Sequence, residues 1–125
     1  MKRIIVTDKA PGAIGPYSQA VEAGSLLFCS GQIPLVPETG KLVEGGVEEQ
    51  AEQALKNVKG LLEGAGYSIN DVIKITVFAR SMNDFATVNE IYGKYFSKDF
   101  PARSFVEVSG LPRGALVEIE AIASK

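Results

Sequence analysis

Few residues in this chain can do chemistry. There is no His, no Trp and a single Cys, at position 29. Composition therefore excludes a Ser-His-Asp triad and a Cys-His pair. A zinc site would have to be built from carboxylates alone, an unusual set for that metal. Acid–base work falls to Glu, Asp, Tyr, Ser, Arg, Lys and backbone groups. Two segments arrange such groups in a pattern. In 100-FPARSFVEV-108, Arg103, Phe105 and Glu107 alternate with Ala102, Ser104, Val106 and Val108, as along a strand. In 116-LVEIEAIAS-124, Glu118 and Glu120 alternate with Val117, Ile119 and Ala121. A guanidinium grips a carboxylate or phosphate in a two-pronged hold worth roughly 1.5–3 kcal/mol where water is excluded. A Glu carboxylate positions and deprotonates a water, typically contributing about 10²–10⁴-fold. An Arg and a Glu beside apolar groups make a minimal kit for hydrolysing a small anion that is already prone to hydrolysis.

The elements that must position these groups are legible in outline. KRIIV at 2–6 reads as a short strand. TDKAPGAIGP, with two Pro and two Gly, reads as loop. YSQAVEAG and SLLFCSG, divided at Ala23-Gly24, suggest a hairpin, and the prolines at 34 and 37 make the next stretch irregular. Residues 47–64 form the clearest helix: Val47, Ala51, Ala54, Leu55, Val58, Leu61 and Leu62 recur at three- and four-residue spacing. Its charged start, EEQAEQ, reads as solvated, and GAG at 64–66 stops it. Residues 71–81 read as a central strand, β-branched on both faces. A second helix, capped by Asn83 or Asp84, carries Phe85, Val88, Ile91, Tyr92 and Tyr95 on one stripe. Strands ARSFVEVS and LVEIEAIAS follow. The order βββ-α-β-α-ββ predicts a two-layer α+β sandwich: a six-stranded mixed sheet with both helices on one face, in a single domain over 1–125.

Bulk properties narrow the partners. Apolar residues make up 46% of the 125 and charged residues 22%, with a net charge of −2. That balance attracts neither nucleic acid nor an anionic membrane. No apolar run approaches the roughly 18 residues of a spanning helix, and MKRIIVTDKAPG lacks the apolar stretch of a signal peptide. A cytoplasmic protein is expected. Cys29, without a partner for an intrachain disulfide, reads as a small buried hydrophobe in a reducing compartment.

If the helices cover the small, branched side of the sheet, Arg103 and Glu118 both face away from them. There they share a surface with Phe105, Leu116 and Ile122. This surface is too apolar for open water and too charged for a core, and a subunit interface with a pocket in it is the economical solution.

Five stretches together, 14-IGPYSQA-20, 30-SGQIP-34, 83-NDFATVNEIY-92, 101-PARS-104 and 118-EIEAIA-123, resemble the RidA (YjgF-type) family in order and spacing, nearly end to end. The resemblance implies a chorismate-mutase-like homotrimer, three sheets around a central barrel with helices outside, and active clefts between subunits. It implies hydrolysis of 2-imino acids or their enamine tautomers to 2-oxo acids and ammonia, protecting pyridoxal-phosphate enzymes, with no metal or cofactor. By position, Arg103 would hold the substrate carboxylate, and Glu118 would orient the attacking water, with Glu120 able to exchange roles with it. Tyr17 and Ser30 would line the cleft, and the Gly31 N–H and the Phe105 main chain would complete the polar frame. Asn89 would make a structural hydrogen bond. Many members have Cys where this chain has Phe105, so no thiol acts there, and the ring should narrow the cleft. The alternative is a metabolite-binding, regulatory or chaperone-like protein of the same fold. Cleavage of messenger RNA, attached to some relatives, finds little support in a chain without His or basic clusters.

Overall fold

A computed structural model describes residues 1–125. Its strands are β1 (Lys2–Ile5), β2 (Ala20–Ala23), β3 (Leu26–Gln32), β4 (Val72–Ala79), β5 (Ala102–Glu107) and β6 (Val117–Ser124); its helices are α1 (Val47–Gly64) and α2 (Phe85–Tyr92). The βββ-α-β-α-ββ order is as expected. One mixed sheet runs β1-β2-β3-β6-β4-β5, antiparallel except for the parallel β4–β5 pair. β4, expected to be central, lies between β6 and β5.

α1 forms where the apolar stripe demands it. Ala51, Ala54, Leu55, Val58, Leu61 and Leu62 are all buried on the sheet, each Leu or Val contributing about 1.5–3 kcal/mol relative to an exposed one. The Glu49 carboxylate accepts a hydrogen bond from the Gly46 N–H at 2.8 Å at the helix start, where the macrodipole favours an anion. At the other end Tyr67 N–H donates to Leu62 O and Gly66 N–H to Glu63 O. This Schellman arrangement needs the left-handed turn that Gly66 takes at φ +86°.

The helix start is not solvated throughout, because Gln50 and Ala51 are buried. Gln50 Oε1 accepts from Leu116 N–H at 2.8 Å. About two turns along, buried Asn57 donates to Ile33 O and Leu35 O at 3.1 and 2.8 Å. Two amides on α1 thus pin the irregular chain after β3 and the entry to β6. Buried and part-buried backbone groups there have no strand partner, and the side chains supply one.

Helix α2 is shorter than its stripe suggested. A 3₁₀ turn at Met82–Asp84 precedes it, started by the Ser81 hydroxyl accepting from Asn83 N–H. Asp84 stands at the cap position but its side chain makes no capping bond.

Candidate active site

Side-chain alternation puts Val117, Ile119, Ala121 and Ala123 of β6 in the core beneath the helices. Glu118, Glu120 and Ile122 therefore emerge on the uncovered face, as the sequence led us to expect. Arg103 does not join them. In the parallel register Ile75 pairs with Arg103 and Val77 with Phe105, and Ile75 and Val77 are core residues. Arg103 and Phe105 therefore lie on the helix face. The alternation in β5 holds, but the side is the reverse of the expected one. The cause is α2, which lays Phe85, Asn89 and Tyr92, at i, i+4 and i+7, over this edge strand. Arg103 Nη1 donates to Asn89 Oδ1 at 2.8 Å. Its guanidinium carbon lies 4.7 Å from the Tyr92 ring centre, 5.5 Å from Phe105 and 5.9 Å from Phe85. The Phe105 ring packs edge-on against Phe85 at 4.8 Å.

That cleft, of about 610 Å³, opens between the 11–17 loop, the end of β3 and the turn before β6; Tyr17, Ser30, Gly31, Glu118 and Glu120 line it. Its geometry comes from a bulge. Cys29 pairs with Ala121 but Gln32 with Ile119, so Ser30 and Gly31 together oppose Glu120. One extra residue re-aims the strand, as bulges beside active sites do. Gly31 is required by close approach: a Cβ there would overlap the Glu118 carboxyl group, whose Cδ would be 2.8 Å away. The carboxylate lies across bare backbone. Burial raises the Glu118 pKa above the ordinary carboxylate value, and the Glu120 carboxylate raises it further. Glu120 itself is exposed.

Ser30 donates to Ser18 O at 2.6 Å, and its N–H donates to Gln19 O at 2.9 Å. The hydroxyl thus ties the bulge to the segment that leads into β2 while lining the cleft. The Tyr17 hydroxyl accepts from Ile14 N–H at 3.4 Å with the ring exposed. Buried Gln19, which the sequence reading passed over, holds the whole loop. It accepts from Thr7 N–H and donates to the carbonyls of Thr7, Ala10 and Pro11. Arg113 also lines the cleft. It takes the left-handed conformation, φ +63°, that L-residues avoid. Cys29 is buried and its thiol is pushed up to about 12 by burial, leaving it inert. No group of three or more His, Cys, Asp or Glu residues is placed to hold a metal.

A six-stranded sheet carrying two helices on one face, with a bulged cleft on the other, is the α+β architecture of the YjgF/L-PSP fold. The chain belongs to the Endoribonuclease L-PSP family, the group also called YjgF or RidA, whose model matches residues 7–125. It is 57% identical to a RutC family protein of Pyrococcus horikoshii, over 100% of this chain and 99% of that one. It is 53% identical to the 2-iminobutanoate/2-iminopropanoate deaminase of Homo sapiens, over 98% of this chain and 90% of that one. Among solved structures it resembles Escherichia coli TdcF with bound serine, at TM-score 0.94 and 49% identity over 98% of both chains.

Proposed function

We propose that this chain hydrolyses 2-imino acids and their enamine tautomers, of the 2-iminobutanoate and 2-iminopropanoate kind, to 2-oxo acids and ammonia. The observation that carries the reading is the Glu118 carboxylate. It is half-buried, laid over Gly31 in an open cleft, and raised in pKa by burial and by Glu120. A raised carboxylate is a stronger base toward water than an ordinary one. Relatives about half identical over nearly the whole chain carry the deaminase name, and TdcF holds an amino acid.

The reaction needs little beyond positioning. Glu118 takes a proton from water as its oxygen bonds to C2 of the protonated imine. The resulting carbinolamine receives that proton on nitrogen; the C–N bond then breaks and ammonia leaves as the hydroxyl gives its proton back to Glu118, and C2 becomes a carbonyl. Arg103 holds the substrate carboxylate. Tyr17, Ser30, the Gly31 N–H and the Phe105 main chain frame the rest. Glu118, half-buried, rather than exposed Glu120, is the base.

Arg103 and Glu118 lie on opposite faces of one sheet, so both reach one substrate only if they come from different copies. The uncovered face supports such an assembly. Ile4, Val21, Phe28 and Ile122 stand in one cross-strand row on it, with Ile4 and Phe28 nearly half exposed. A homotrimer with clefts between subunits accounts for this face and brings Arg103 of a neighbouring copy to Glu118. The ribonuclease activity in the family's description fits poorly, since Glu118 and Glu120 would repel a phosphodiester backbone at this wall.

Subunit mixing tests the assignment. Arg103→Ala and Glu118→Ala should each abolish the acceleration of ammonia release from enzymatically generated 2-aminoacrylate. Co-refolded together they should recover part of it, because some clefts then receive both intact residues. No recovery places the two residues in one subunit and overturns the shared site. A wild-type protein that binds 2-oxo acids without accelerating ammonia release would be a binding protein.

A further inference from the structure

Arg103 has no carboxylate within ion-pair distance in its own chain. An arginine that must be held still is commonly held by a carboxylate. The chain's one ion pair, however, joins Arg3 to Glu22 on the far edge of the sheet. Arg103 is instead held by an amide oxygen on one nitrogen and by three rings, those of Tyr92, Phe105 and Phe85. Aromatic faces attract a guanidinium through their quadrupoles, and an amide oxygen through its dipole. Neither cancels its charge. A carboxylate would hold it more tightly, but would compete with any incoming anion for the same fork of donors.

We propose that Phe105, with Phe85, Tyr92 and Asn89, is a charge-neutral clamp that fixes the Arg103 guanidinium and leaves its charge for the substrate carboxylate. This rests on the reading of Arg103 as the carboxylate anchor and assigns the Phe105 ring a positioning role apart from its main chain. The ring lies two residues beyond Arg103 on the same face of β5, and its edge-on contact with Phe85 braces the box from the strand side. Pre-organising the guanidinium removes the cost of ordering a flexible side chain at the moment of binding.

The experiment combines calorimetric titration of the whole protein with 2-oxobutanoate and steady-state deamination. Phe105→Leu keeps most of the volume but removes the ring face. It should weaken 2-oxobutanoate binding and raise KM by about fivefold, with kcat little changed. Phe105→Tyr should restore wild-type values. Asn89→Asp keeps the hydrogen-bond acceptor and adds a charge, so it should weaken the anion by about tenfold or more while holding Arg103 at least as firmly. A purely structural box predicts the opposite for Asn89→Asp, an affinity kept or improved. Wild-type affinity in both Phe105→Leu and Asn89→Asp, beside lost affinity in Arg103→Ala, overturns the clamp alone. A wild-type protein that binds no 2-oxo acid removes the carboxylate-anchor reading beneath it.

Discussion

Glu118, as the proposed base, sets function against stability at a single residue. Its raised pKa means that the folded protein binds this proton more tightly than the unfolded chain does. Stability from this group is therefore fully present below the unfolded carboxylate pKa of about 4.3 and declines as pH rises through the higher folded value. At neutral pH the ionised carboxylate costs stability. Glu118→Gln should raise the melting temperature at pH 7 and narrow the gain at pH 4, while abolishing turnover; a lower melting temperature at pH 7 would show that the charge is better satisfied than its surroundings indicate. The same logic gives the Glu120 side chain a kinetic signature. Glu120→Gln removes a like charge, so the acidic limb of the kcat/KM profile should move to lower pH. An unmoved limb would mean that the group titrating there is not Glu118.

Among the elements, the bulge of β3 and the loop held by Gln19 decide where the cleft is. Gly31→Ala introduces a methyl where the Glu118 carboxyl lies. The colliding atoms are the end of a flexible side chain, so the fold should survive within about 1 kcal/mol. The displaced carboxylate should cost most of the activity, read as kcat against a chemical-denaturation curve. Gln19→Ala should do the reverse. It leaves the buried Ala10 carbonyl and the part-buried Thr7 and Pro11 groups without partners and should destabilise by about 1–3 kcal/mol. Turnover by the folded fraction at low temperature should be affected far less. α1 was legible because its apolar stripe is continuous over several turns. The bulge was not: Ser30 and Gly31 look like any strand residues until the register on β6 is known.

For the whole molecule, the uncovered face of the sheet is the decisive feature. Phe28 is nearly half exposed in the centre of its apolar row. Phe28→Lys should convert the proposed trimer to monomers in light scattering and remove deaminase activity together with assembly, although the residue lies outside the cleft. Monomers of full activity would show that each chain carries a whole site. No helix is long and apolar enough to cross a membrane.

Composition, alternation and helical spacing were enough to determine the element order, the two-layer class, the inert Cys29 and the short list of residues capable of chemistry. They also placed Glu118 on the uncovered face, because its strand neighbours Val117 and Ile119 are plainly core residues. Which way Arg103 points was decided only in three dimensions. A period of two tells which residues of a strand share a face but not which face is covered, and in β5 the small Ala102, Ser104 and Val106 on one face and the large Arg103, Phe105 and Glu107 on the other suggested the wrong one. The choice falls to α2, whose Phe85, Asn89 and Tyr92 meet Arg103 from far along the chain. Placing an arginine among aromatic rings gains most once that packing has excluded water from one side of it.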